Sequence, residues 1–194
     1  VSAIAQIIML IIMISSILKM SDLGFKLEDQ ALVLDFHFFA MFGTGFFTSY
    51  LLKSYNIYHV LLVAWALIGL AIIIFLSSKE LWAFFVGDFL VGVGWNIMFS
   101  TGTVMLSFCY APYQRHHVQS VFEIIINTIS GVFTIVSGFI LSVYGWDRVV
   151  YGVLGIFCAL SLIAPVYGQF YIDPASSFTE PKRISQTSDI ECSP

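Results

Sequence analysis

Polar residues along this chain fall in short clusters, and the intervals between the clusters are almost wholly apolar. The clusters divide the sequence into six apolar runs, at about 1–20, 31–52, 58–76, 81–108, 118–143 and 149–167. Each is about twice the roughly ten residues of a barrel strand, and none alternates apolar with polar positions. Wound as α-helices at about 1.5 Å per residue, all six are long enough to cross about 30 Å of hydrocarbon. The pattern predicts an all-α membrane protein, with a bundle of six transmembrane helices over residues 1–169 and a disordered polar tail over 170–194.

The clusters differ in kind. Ser21–Gln30 (SDLGFKLEDQ) is a charged loop, too polar for lipid. Lys53–Asn56 and Tyr144–Arg148 are tight turns, and the serines of Ser77–Glu80 are placed to cap the helix that follows. Cys109–His117 (CYAPYQRHH) is a polar loop opened by Pro112. Glycine recurs inside the runs, at Gly43, Gly45, Gly87, Gly92, Gly94, Gly131, Gly138, Gly152 and Gly155, where small residues permit close approach of helix backbones in lipid.

A second regularity overlies the first. Displacing the sequence by 89 residues sets Gln30 on Gln119, Ser49 on Gly138, Tyr55 on Tyr144, Asn56 on Gly145, His59 on Arg148 and Val60 on Val149. The shared content is a long helix, a tight turn and another helix, used twice. Three crossings are odd in number, so the second set enters from the opposite face, and the two sets form inverted three-helix repeats.

Composition sets the solvent. The chain is 59% hydrophobic and 10% charged, where a soluble domain carries roughly a quarter charged residues. With a mean hydropathy of +0.92 it cannot cover itself with polar surface, so its partner is the lipid bilayer. The net charge of −4, with no basic stripe, excludes a nucleic-acid partner. Cys109, Cys158 and Cys192 lack metal-ligand or disulfide spacing, and no cofactor or metal site is expected. The chain opens at Val1 inside an apolar run without a charged leader or cleavage site, which argues against a signal peptide and for further chain upstream.

Polar side chains inside hydrocarbon are costly and commonly face a cavity or a partner. His37, Met41, Thr44 and Thr48 share one face of the second run. Asp88, Gly92, Trp95 and Asn96 share a face of the fourth. Glu123, Asn127, Ser130, Gly131, Thr134 and Gly138 form a stripe down the fifth, and Gln6, Met9, Met13 and Ser16 share a face of the first. The third and sixth runs carry no acid or base within their cores. Runs one, two, four and five are therefore expected to line an interior, and three and six to face lipid.

Each group also has a plainer reading. Asp35, near a helix start, suits the positive end of the helix dipole. His37 is either a proton-responsive group or a hydrogen-bonded structural histidine. Asp88 lies about two turns into its helix, where no terminus excuses it. Glu123 is about two turns from Arg115 and could pair with it. Asn96 and Asn127 suit interhelical hydrogen bonding as well as contact with a solute.

Four segments carry a family resemblance: His37 through Ser49 (HFFAMFGTGFFTS), Gly92-Val93-Gly94-Trp95-Asn96, Tyr110-Ala111-Pro112-Tyr113-Gln114-Arg115 with Gln119, and Ser137 through Trp146. In this order they resemble the C-terminal half of a major facilitator superfamily transporter. The resemblance covers about residues 1–169. It implies the last six of twelve helices, with the third and sixth of the six peripheral, and a multi-pass membrane protein with a cytoplasmic tail. Charge alone does not orient the chain, since the basic residues divide evenly between the two faces. Members often carry a Gly-x-x-x-Asp-Arg-x-Gly-Arg-Arg loop. The equivalent positions here are Ser49, Lys53, Ser54, Asn56, Tyr58 and His59, so the acid and the terminal arginines are absent. Where relatives often have Asn-Asp, this chain has Phe122-Glu123.

The resemblance implies secondary transport of a small molecule or ion by alternating access, coupled to a proton or cation. Gln6, His37, Asp88, Asn96, Glu123 and Asn127 are the pathway candidates, and Lys53, His59 and Arg115 the gating-loop candidates. Six helices make one wall of a cavity, so transport needs either a missing N-terminal six-helix half or a second copy. A membrane enzyme is disfavoured: no second mid-span aspartate opposes Asp88, and no Gly-x-Ser-x-Gly elbow occurs. A non-transporting receptor or scaffold of the same fold remains the alternative, favoured by the altered loop motif.

Overall fold

A computed structural model of the chain describes residues 1–171. The expected polar tail lies outside the described residues apart from its first two positions. The helices are α1 (Ser2–Asp22), α2 (Leu27–Gly43), α3 (Gly45–Ser54), α4 (Ile57–Ser77), α5 (Leu81–Ser107), α6 (Arg115–Tyr144) and α7 (Trp146–Tyr171), with a 3₁₀ turn at Pro112–Gln114. No strand occurs among the described residues. α1, α2 with α3, α4, α5 and α6 are long and apolar enough to cross a membrane by length and composition, and α7, at 26 residues, has the length for it.

The helices overrun the polarity boundaries. α2 begins at Leu27, inside the expected charged loop, with Glu28 and Asp29 in its first turn, where carboxylates suit the helix dipole. That leaves Asp35 two turns into the helix and exposed, not at its start as expected. α6 starts at Arg115 rather than 118. The expected turn Tyr144–Arg148 shrinks to Gly145, whose backbone at φ 81, ψ 172 reverses the chain in one residue. Asn56 caps α4 by accepting the Tyr58 amide at 2.9 Å. The serine expected to cap α5 acts one step early: Ser78 Oγ accepts the Glu80 amide, and Glu80 holds the cap position.

The second crossing is not the continuous helix expected. It breaks at Thr44, between Gly43 and Gly45, into α2 and α3. Its counterpart α6 runs unbroken.

α5 is the hub. It packs against α1, α2, α3 and α4, while α1 also packs against α6 and α7, and α4 and α6 against α7. These pairings map onto themselves when the first three crossings are exchanged for the last three: α2–α5 becomes α6–α1, and α4–α5 becomes α7–α1. Burial repeats at the 89-residue offset. His37, Met41, Thr48 and Leu52 are buried, and so are Ile126, Ser130, Ser137 and Leu141. Ala5, Ile8, Met9 and Ile12 match Gly94, Ile97, Met98 and Thr101; Ile57, Val60 and Ala64 match Trp146, Val149 and Val153. α4 and α7 begin at equivalent positions, Ile57 and Trp146. Trp95 Nε1 donates to Gln6 Oε1 at 2.7 Å, and these two residues are themselves 89 apart, so they meet across the pseudo-twofold axis.

The glycines divide by helix. A Cβ on Gly92 would stand 2.8 Å from the His37 carbonyl oxygen, and one on Gly94 2.7 Å from Ile68 Cγ1, so α5 meets α2 and α4 at backbone distance. Gly131, Gly138, Gly152 and Gly155 have nothing within 4 Å and take no part in close packing within this bundle. At one membrane face Lys79 pairs with Asp147 at 2.8 Å, tying the α4–α5 turn to the start of α7, two connections that the odd-and-even order of crossings puts on the same side.

Candidate functional site

The polar face of α5 is a seam. Asp88, Gly92, Trp95 and Asn96 recur at three- and four-residue spacing, and the structure turns them onto α1 and α2. Near the face that carries Lys79, His37 Nδ1 lies 2.7 Å from the Asp88 backbone carbonyl, and both residues are buried, at 0% and 2% exposure. The Ser16 hydroxyl of α1 sits beside the Asp88 carboxyl without closing a hydrogen bond. Both carboxyl oxygens of Asp88, His37 Nε2 and the hydroxyls of Ser15 and Ser16 have no partner.

Two turns further along α5, Asn96 bridges the break in the second crossing. Its Nδ2 donates to the Met41 carbonyl at 2.6 Å, and its Oδ1 accepts the Thr48 hydroxyl at 2.6 Å. An unbroken helix would pair Met41 with Gly45, so the asparagine takes the acceptor that the break frees. Thr44 returns its own hydroxyl to the Ala40 carbonyl at 2.6 Å. The structure thus joins Gln6, His37, Asp88 and Asn96 along one line of contact among α1, α2 and α5.

Glu123 and Asn127 are not part of that line. Asn127 is exposed on α6 and Glu123 half-buried, with Asn127 Nδ2 donating to the Glu123 carbonyl at 2.9 Å and lying 3.5 Å from its Oε2. The expected Arg115–Glu123 ion pair is not formed: the two are eight residues apart, more than the single turn over which helical side chains meet. Lower on α6, the hydroxyls of Ser130 and Thr134 are buried without partners. Lys53 lies in the last turn of α3, His59 in the first turn of α4, and Arg115 opens α6; all three are exposed, at connections on the face opposite Lys79.

Sequence reasoning passed over Thr48 as the partner of Asn96, the Trp95–Gln6 bond and the break itself. The signal for the break was the Gly43-Thr44-Gly45 triplet in mid-run. Among the described residues no group of three or more His, Cys, Asp or Glu is placed to hold a metal ion.

Comparison with known proteins places these features. The riboflavin transporter RfnT of Brucella anthropi is 26% identical over 142 residues, which are 73% of this chain and 36% of that protein. The chain thus spans about a third of the length of the curated relative it matches. No solved structure is significantly similar to it. The model of the Major Facilitator Superfamily matches residues 1–189, nearly the whole sequence. An all-α set of membrane-crossing helices, paired by an internal repeat around a polar seam, is therefore that of a transporter family, and the chain belongs to the Major Facilitator Superfamily.

Proposed function

We propose that this bundle is one wall of a secondary active transporter that moves a small solute by alternating access, driven by a proton or cation gradient. The opposite wall is an N-terminal six-helix half or a second copy of the bundle, and the C-terminal tail is cytoplasmic. The observation that carries the reading is the polar lane of α6, half-buried Glu123 and exposed Asn127 followed by Gly131 and Gly138, on a helix otherwise fit for lipid. Polar groups at such depth mark solute pathways, and the open glycines let another helix or a solute come close. Gln6, His37, Asp88 and Asn96 stand behind this lane as the groups that set the bundle's shape, and Lys53, His59 and Arg115 as the gate at one face.

The relative's name makes riboflavin the first solute to try. The full-length protein in proteoliposomes is expected to take up riboflavin saturably when a pH gradient is imposed, and Asn127→Ala is expected to raise KM. A monodisperse, folded protein that moves neither riboflavin nor any of a panel of labelled vitamins, sugars and amino acids would refute transport. It would favour the receptor or scaffold reading, to which the altered loop at Ser49, Lys53 and His59 lends support.

A further inference from the structure

The seam among α1, α2 and α5 is short of one hydrogen. A carbonyl only accepts, so the 2.7 Å contact to the Asp88 carbonyl puts the hydrogen of a neutral His37 ring on Nδ1 and leaves Nε2 as a bare acceptor. With Asp88 ionised, the seam buries three bare acceptors, two carboxylate oxygens and that ring nitrogen, against the two hydroxyl hydrogens of Ser15 and Ser16. All are buried and without partners, and unpaired polar atoms in such a place are costly. One added proton on the carboxyl supplies the missing donor and removes the charge together. An alkali ion suits the junction poorly. It would find at most two carboxylate oxygens and the hydroxyls of Ser15 and Ser16 where hard cations gather about six oxygens.

The internal repeat shows that packing of this kind does not require His37, Ser16 or Asn96. At the 89-residue offset His37 becomes Ile126, Ser16 becomes Met105 and Asn96 becomes Ile7, while the position that matches Asp88 precedes Val1. The equivalent α1–α6 seam closes with no ionisable residue among its buried side chains.

We propose that Asp88, with Ser16 beside its carboxyl and His37 on its backbone carbonyl, forms a proton-binding site sealed inside this bundle, and that its occupancy holds α1 and α2 against α5. The proposal rests on the transport reading only for the use made of the proton. The surroundings supply no competing charge. From α1 come Ser15 and Ser16, with Lys19 a turn nearer the membrane face; from α2 comes His37, with Asp35 on its exposed side. The ionisable groups of α3 and α4, Tyr50, Lys53, Tyr58 and His59, lie toward the opposite face. Among the described residues no ion pair reaches Asp88.

The test uses purified full-length protein in nanodiscs, titrated from about pH 8 to about pH 5, because stability follows any proton that the folded state alone holds. Wild type is expected to unfold at rising temperature as pH falls. Asp88→Asn, which carries a permanent N–H donor in place of the proton, is expected to stay near the wild-type low-pH value throughout. It should also lack the infrared carboxylic-acid band that wild type shows at low pH. Replacing choline by sodium at constant ionic strength should move neither protein. An unchanged pH slope and acid band in Asp88→Asn would overturn the proposal, and so would a sodium shift in wild type that Asp88→Asn abolishes. If Asp88→Asn does not fold, Ser16→Ala decides. A displaced acid band supports a protonated carboxyl against that hydroxyl, and an unmoved band refutes it. A site that behaves as proposed in a protein that transports nothing leaves the binding claim standing while the transport reading falls.

Discussion

Removing the Asn96 side chain tests what holds the broken crossing in place. Asn96→Ala deletes two interhelical bonds, Nδ2 to the Met41 carbonyl and the Thr48 hydroxyl to Oδ1, both at 2.6 Å. Interhelical side-chain bonds in membranes average about 0.6 kcal/mol, so the pair accounts for about 1 kcal/mol. The larger part comes from the Met41 carbonyl, left without a donor at the break, at a cost of about 1–3 kcal/mol. Thr48 escapes a penalty because its hydroxyl also lies 3.1 Å from the Thr44 carbonyl. The expected loss is therefore about 2–4 kcal/mol for Asn96→Ala, against about 0.6 kcal/mol for Thr48→Val, which removes one bond and orphans nothing in the backbone. Equilibrium unfolding of the full-length protein in mixed micelles measures both. Equal losses in the two variants would mean that the asparagine does not hold the freed carbonyl, and the account of the break would fail.

Other perturbations separate local causes. Gly92→Ala drives a Cβ to 2.8 Å from a backbone oxygen that cannot rotate away, and should cost about 1–3 kcal/mol, while Gly152→Ala on α7, with open space around it, should leave the unfolding midpoint unchanged. Gly145→Ala forces a side chain into a backbone region used almost only by glycine, and should lower stability by about 1–3 kcal/mol in the same unfolding experiment. Lys79→Ala breaks an exposed ion pair, so its effect should be at most about 1 kcal/mol and should vanish in unfolding curves taken at about 1 M salt.

The crossings were legible because polarity alone marks where lipid ends, and the repeat because its turns keep their spacing. Polarity overstates the loops, however. Glu28 and Asp29 read as loop residues yet begin a helix, since a first turn at the membrane face welcomes carboxylates. The faces of α2 and α5 were readable from three- and four-residue spacing. What they meet was not: His37 and Asp88 are 51 residues apart, and only the packing of α2 on α5 joins them. Glycines are the sharpest case. Gly92 and Gly138 look alike in sequence, but one touches a neighbouring backbone and the other touches nothing. The break at Thr44 escaped notice because a glycine pair in an apolar run serves close packing as readily as a bend.

The central place of α5 also bears on how the chain is assembled as it is made. α1, α2, α3 and α4 find most of their lateral contacts on α5 or on helices that follow it, and touch one another only lightly. Until residues 81–107 have been translated, the earlier crossings lack their main partner within this bundle, and His37, Thr48 and Gln6 lack the helix that covers them. A ribosome that stops before residue 81 therefore releases a product that inserts but cannot close, and cellular quality control will meet it as an unassembled membrane protein.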